Sequence, residues 1–179
     1  GNFLRKRVVE DLQRDFPRLK TFATLSPIPG LVRWVGRHPE ELAGAISAAD
    51  WKRLAAAGVD DPSAPALRAL LDGDRQWADN PALARALREP LLRVAARYLA
   101  EAKRDGKPVD AVARFHLGNG ARVERLNWLA DTSDKGFDQS WGIMVNYLYD
   151  PDRIESNLEA FAREGRVDTS AAVRRQAKR

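Results

Sequence analysis

Cysteine is absent from all 179 residues, methionine occurs once, and there are only two histidines. Without cysteine there is no disulfide framework, and a reducing compartment suits the chain. Neither His38 nor His116 has a second histidine at ligand spacing, so no dedicated metal site is expected. No apolar run approaches the roughly 18 residues of a transmembrane span, and the opening stretch carries no cleavable signal pattern. A cytoplasmic protein that engages no membrane is the expectation. Hydrophobic residues at 44 % and charged residues at 31 % also exclude a disordered chain.

Basic residues outnumber acidic ones by a net +5, and most of that excess sits at one end. From Arg163 to Arg179 six basic residues face two acids, a net +4 that leaves the body near neutral. A basic end on a neutral body reads as a solvated tail over 166–179, with no nucleic-acid partner expected.

What is present follows a helix–strand alternation. Leu4, Val8, Leu12 and Phe16 recur every four residues, predicting an amphipathic helix over Gly1–Phe16 that Pro17 ends. Leu19–Ser26 alternates as a strand, with Phe22, Thr24 and Ser26 on one face. Residues 38–106 change to short helices rich in Ala, Leu and Arg. His38-Pro39-Glu40-Glu41 starts one, Asp50 caps Trp51–Ala57, and Asn80-Pro81 starts another that Pro90 breaks or kinks and Gly106 ends. From Ala111 a period of two returns. Ala111–Leu117, Asn119-Gly120 and Ala121–Leu129 read as a hairpin, which would set His116 opposite Val123. Asp131–Asp138 reads as loop and Trp141–Tyr149 as a strand with Trp141, Ile143, Val145, Tyr147 and Tyr149 on one face. Asp150-Pro151 caps a last helix that Gly165 ends.

Two residues draw attention as chemistry. Ser26 stands where a strand becomes a loop stiffened by Pro27 and Pro29, but a serine there commonly just bonds nearby backbone. It is no nucleophile elbow, since Leu25 and Pro27 stand where glycines would be. His116 shares its expected face with Arg114, Arg125 and Asn127 rather than with an apolar stripe. Asn127 and Asn146 need partners if buried and could serve scaffold or ligand. These patterns select no reaction.

Five blocks, in order, do more. Gly1-Asn2-Phe3-Leu4, Thr24-Leu25-Ser26-Pro27-Ile28-Pro29-Gly30, Arg114-Phe115-His116-Leu117-Gly118-Asn119-Gly120-Ala121, Asn127-Trp128-Leu129-Ala130-Asp131 and Gly142-Ile143-Met144-Val145-Asn146-Tyr147 resemble the catalytic domain of the malonyl-CoA decarboxylase family. The resemblance implies an α/β fold: the C-terminal part of a mixed sheet like that of the GCN5-related acetyltransferases, with flanking helices. It divides the chain into a core of 1–37 and 107–165, a helical insertion over 38–106 and the tail. It also implies an upstream part of the same protein that supplies the early strands, and a homo-oligomer. The implied reaction is decarboxylation of malonyl-CoA to acetyl-CoA and CO2, with Ser26 and His116 as the catalytic pair. Gly1, Asn2, Phe3, Leu4, Thr24, Pro27, Asn127 and Tyr147 are the residues expected to touch substrate or CoA. No metal or organic cofactor is implied, because the thioester itself accepts the electrons. An acyltransferase of the same fold and a non-catalytic CoA-binding or assembly module are the rival readings.

Overall fold

The computed structural model describes Arg7, Glu10, Asp11, Arg14, Asp15 and residues 21–178. The five described residues of the opening stretch are helical; the apolar stripe read there lies outside the described residues. A strand β1 (Phe22–Ser26) comes next, followed by a run of helices: α1 (Leu31–Arg37), α2 (Pro39–Gly44), α3 (Ala48–Ala56), α4 (Ala64–Asp72) and the long α5 (Pro81–Glu101). A two-stranded hairpin, β2 (Lys103–Arg104) with β3 (Lys107–Pro108), leads to α6 (Ala111–Leu117). Then come β4 (Arg122–Asn127), α7 (Asp134–Ser140), β5 (Met144–Tyr149), α8 (Ile154–Glu164) and α9 (Ala171–Lys178). The fold is mixed α/β, as expected.

The three long strands form an antiparallel sheet in the order β1-β5-β4. Ser26 pairs with Val145, Thr24 with Tyr147 and Phe22 with Tyr149, so these six side chains share one face. That is the grouping expected from the alternation within each strand. On β5 the alternation is also one of burial, with Val145, Tyr147 and Tyr149 buried and Met144, Asn146 and Leu148 half-buried. The apolar core runs from this sheet into α5, where Leu87, Leu91, Val94, Ala95 and Leu99 are almost wholly buried. Each such leucine contributes about 1.5–3 kcal/mol by leaving water.

The stretch 111–117 is a helix, not the first strand of a hairpin. In seven residues an apolar period of two and one of three to four fit equally, so the ends decide. Asp110 supplies the decision, accepting from the N–H groups of Val112 and Ala113 at 3.1 and 3.0 Å. The buried residues are Ala113, His116 and Leu117, the spacing of a helix face, while Phe115 is exposed. The Asn119-Gly120 turn therefore joins a helix to β4. A side chain at Gly120 would meet Ile154 at 2.8 Å, and its φ of +90° is one that glycine adopts freely.

Other boundaries shift for similar reasons. Ser47, not Asp50, caps α3; Asp50 is the reciprocal partner that accepts from the Ser47 N–H at 2.9 Å. Pro90 lies within an uninterrupted α5, and that helix ends at Glu101, so Gly106 belongs to the β2–β3 turn instead. Residues 134–140 form α7 because Ser133 caps it. Gly136 is there for contact rather than flexibility, since a Cβ would sit 2.3 Å from the Asp131 carbonyl oxygen. Trp141 closes α7 in the left-handed conformation, so the last strand begins at Met144.

The basic end is not simply a solvated tail. It holds α9, which buries Val173 and Ala177 against the body. Ser170 Oγ donates to the Glu124 carbonyl at 2.7 Å, and Arg97 Nε on α5 donates to the Ala177 carbonyl at 2.7 Å.

One polar group is sealed among the helices. Arg93 and Asp50 are ion-paired at 2.8 Å with both side chains almost fully buried. Burial alone would push the Asp50 carboxyl up. Hydrogen bonds from Ser47, Arg93 and Arg53 outweigh it and hold the pKa down, from 3.8 to about 2. Removing one partner strands the other charge, so Arg93→Met should cost about 3–5 kcal/mol and lower the melting temperature. With a depressed folded pKa, the Asp50 contribution is complete above 3.8 and is lost as pH falls through about 2. An acid melt of wild type and Arg93→Met checks both statements.

Candidate active site

Ser26 is the last residue of β1 and only 5 % exposed. Its hydroxyl oxygen lies 3.3 Å from Nε2 of His116, which comes from α6 ninety residues later. On the other side of the same hydroxyl, Thr24 Oγ1 stands 3.2 Å away, two residues back on the same strand face. The β-strand period puts Thr24 and Ser26 together, and the helix brings His116 down onto them.

The imidazole is held from three directions. Nδ1 lies 2.6 Å from the Tyr149 hydroxyl, and the ring stacks on Tyr147 with centroids 4.5 Å apart and planes 19° from parallel. With Nδ1–H donating to the Tyr149 oxygen, Nε2 accepts the Ser26 proton; the opposite tautomer makes Nε2 the donor to Ser26. Tyr147 is fully buried, and its hydroxyl has no hydrogen-bond partner among the described residues. Burial, reinforced by the neighbouring Asp110, Tyr98 and Tyr149, pushes that phenol well above its usual range. It stays neutral.

Asp110 fixes how the two chemical residues meet. One carboxylate oxygen caps α6, the helix of His116. The other accepts from the Gly30 N–H at 3.2 Å, and so ties down the loop that leaves Ser26, and from the Tyr98 hydroxyl at 3.1 Å. Burial raises the Asp110 pKa, against the lowering effect of the N–H groups of Ala113 and Gly30 and the Tyr98 hydroxyl. Burial also raises Tyr98, and the adjacent Asp110 carboxylate raises it further. Gly30 has no room to be anything else, since a Cβ would sit 2.3 Å from the Tyr98 oxygen.

Of the residues expected at the site, Ser26, His116, Thr24 and Tyr147 converge. Pro27 follows Ser26 directly and is exposed. Asn127 lies on the opposite face of the sheet, where its side-chain amide donates to Asn146 Oδ1 at 2.9 Å, and Asn146 in turn donates to the Thr24 carbonyl at 3.1 Å. Gly1, Asn2, Phe3 and Leu4 lie outside the described residues. Asp110, Tyr98 and Tyr149 are additions. Tyr149 could have been found as the strand-period neighbour of Tyr147, and Asp110 as a helix cap once 111–117 is read as a helix.

A serine hydroxyl between a threonine and an imidazole, in a nearly closed setting, can bind an anionic oxygen and pass a proton. Comparison with known proteins narrows what that serves. The family model described as malonyl-CoA decarboxylase C-terminal domain matches residues 1–179. The rat protein named malonyl-CoA decarboxylase, mitochondrial, is 42 % identical over 160 residues, covering 83 % of this chain and 31 % of its own length. A goose protein of the same name, from Anser anser anser, is 36 % identical over 178 residues, covering 97 % and 35 %. Crystal structures of malonyl-CoA decarboxylase from three bacteria, Rhodopseudomonas palustris among them, superpose with a TM-score of 0.79. That from Agrobacterium vitis is 46 % identical and matches 100 % of this chain and 41 % of its own; that from Cupriavidus metallidurans is 42 % identical and matches 98 % and 43 %. The chain spans about a third of the length of these curated relatives.

Proposed function

The chain belongs to the malonyl-CoA decarboxylase C-terminal domain family, and from that membership we propose that the protein carrying it converts malonyl-CoA to acetyl-CoA and CO2 at Ser26 and His116. The observation that carries this is the 3.3 Å approach of Ser26 Oγ to His116 Nε2 from two distant elements. Before bond cleavage the pair holds the malonyl carboxylate out of the thioester plane. The C2–carboxylate bond then breaks, CO2 leaves, and its bonding electrons move through C2 to the thioester oxygen as an enolate. Ser26 gives its proton to C2, and His116 returns one to Ser26; one proton is taken up per turnover. The thioester is the electron sink, so the proposal needs neither metal nor organic cofactor.

Tyr149 acts on this pair as a positioning residue, through the 2.6 Å contact with Nδ1. Tyr149→Phe should lower kcat about tenfold, the worth of one lost hydrogen bond, with a smaller change in KM. The pH–rate profile should shift with it, because the imidazole loses a partner; an unmoved profile would reduce Tyr149 to packing.

Among the described residues β1 pairs only with β5, leaving its outer edge open. We place an upstream strand of the same protein there, within a larger mixed sheet of the acetyltransferase kind, and residues 38–106 as an insertion into it. Homo-oligomerisation and a role in fatty-acid metabolism belong to the same reading. So does a reducing aqueous compartment. The cytoplasm was the expectation, whereas the rat and goose relatives carry the word mitochondrial in their names. No helix among the described residues is long and apolar enough to cross a membrane.

The test is to supply malonyl-CoA without any acyl acceptor. Acetyl-CoA and CO2 should appear in equal amounts. An acyltransferase would release no CO2, and a binding module would turn nothing over.

A further inference from the structure

The basic excess of the chain end takes no part in the Ser26–His116 site. On α9 it faces the long helix α5 across a cleft of about 460 Å³. Arg88 and Arg93 stand on the α5 wall, Arg175 and Lys178 on the α9 wall, with Gln176 beside them. Among the described residues Glu89 is the only carboxylate in the lining, and it already lies 3.4 Å from Arg53. Arg88, Arg175 and Lys178 are exposed, and none has an ion-pair partner among the described residues.

Beneath these exposed charges two polar atoms are left over. Arg93 is only 5 % exposed, and its Nη1 is fully used, donating to Asp50 Oδ2 at 2.8 Å and to the Ala45 carbonyl at 2.5 Å. Its Nε–H has no acceptor among the described residues, and Gln176 Oε1 has no donor. Buried polar groups are seldom left in that state. One kind of molecule meets both needs. An anionic oxygen satisfies the guanidinium N–H and gathers the three unpaired cations, while a hydroxyl satisfies the amide oxygen. A carboxylate carries a single charge, whereas a phosphate monoester brings roughly two in one compact group. Past Arg88 and Gln176 the cleft continues into a hollow of about 850 Å³ where Arg125 and Arg174 are exposed. Its carboxylates, Glu124 and Asp168, face arginines of their own, Arg122 at 2.7 Å and Arg153 at 3.9 Å. The approach is therefore positive, which concentrates anions there.

We infer that the α5–α9 cleft binds a small phosphate monoester bearing a free hydroxyl, its phosphate on Arg88, Arg93 Nε, Arg175 and Lys178 and its hydroxyl on Gln176. The two buried atoms are reached by a side-chain rearrangement along the α9 wall, where Gln176 is only half-buried. No lining residue of the cleft belongs to the hydrogen-bonded network of Ser26, His116 and Asp110. The inference does not depend on the reaction carried out there. A bound phosphate ties α9 to α5, so it stabilises the fold by mass action.

The probe is glycerol 3-phosphate, titrated into the whole protein by calorimetry and by thermal melting, with inorganic phosphate and glycerol as its two halves. One molecule per chain should bind, and the melting temperature should rise with its concentration. Inorganic phosphate should bind more weakly and glycerol not at all. Arg88→Gln/Arg175→Gln removes two exposed cations; it should melt like wild type without ligand, yet bind at least about tenfold more weakly. Gln176→Leu should still hold phosphate but lose the preference for glycerol 3-phosphate over inorganic phosphate. Saturating acetyl-CoA should leave the affinity of wild type unchanged. No saturable binding to wild type, equal binding to the double variant, or displacement by acetyl-CoA overturns the inference.

Discussion

His116→Asn and Ser26→Ala should each cut turnover of malonyl-CoA at least about a hundredfold, the scale set by an acid–base group acting in the transition state. Neither change should unfold the protein. Among the described residues the Ser26 hydroxyl meets only Thr24 and His116, at the end of β1. Asparagine at 116 keeps a polar side chain of similar reach but cannot exchange a proton near neutrality. The double variant should lose little more than either single one, because the two groups act as a unit. Near wild-type rates in both single variants would remove the pair from the chemistry and leave it as packing beneath β5.

Asp110→Ala is the second large effect, and it works at a distance from the substrate. It removes the acceptor of four donors at once: the N–H groups of Gly30, Val112 and Ala113, and the Tyr98 hydroxyl. Lost capping and stranded buried donors together should cost at least about 3 kcal/mol. What remains folded should turn over about a hundredfold more slowly, since Ser26 and α6 are no longer tied to one point. Asp110→Asn separates the two roles. Its side-chain oxygen can still cap α6, while its amide meets the Gly30 N–H donor to donor, so melting should recover more than kcat does. The pH dependence gives a third check. Burial raises the Asp110 pKa, so the folded state holds that proton more tightly than the unfolded chain. Stability therefore falls as pH rises from the ordinary 3.8 toward the raised value, opposite in sign to Asp50, and Asn at 110 should flatten that slope.

These two residues also mark what was legible in the sequence. Ser26 was readable from its place at a strand end, but its partner was identified through the block resemblance and not through geometry. The hairpin read over 111–129 put His116 on a strand; the structure puts it on a helix, and the pair still meets. A seven-residue segment such as Ala111–Leu117 is too short for its apolar period to choose between the two. The signal that chooses is polar and local, a carboxylate at 110 capping two amides. The same blindness affected 134–140, where Ser133 is the deciding cap and Gly136 permits contact with Asp131 instead of breaking the chain. Long alternating stretches carried farther. The faces of β1 and β5 were correctly grouped because burial on one side leaves a strand no freedom of register. Asp110 was missed for a different reason: its importance comes from joining Gly30 to α6 across eighty residues, and no local pattern encodes that contact.

The central claim is that Ser26, backed by His116, protonates the carbon from which CO2 has departed. Its most direct test is turnover of malonyl-CoA in deuterated buffer, with mass analysis of the product and counting of released CO2. The account predicts acetyl-CoA carrying one solvent deuterium at its methyl carbon for each CO2 released, with both signals falling together in Ser26→Ala. Acyl transfer without CO2 release, or undiminished deuterated product from Ser26→Ala, would contradict it.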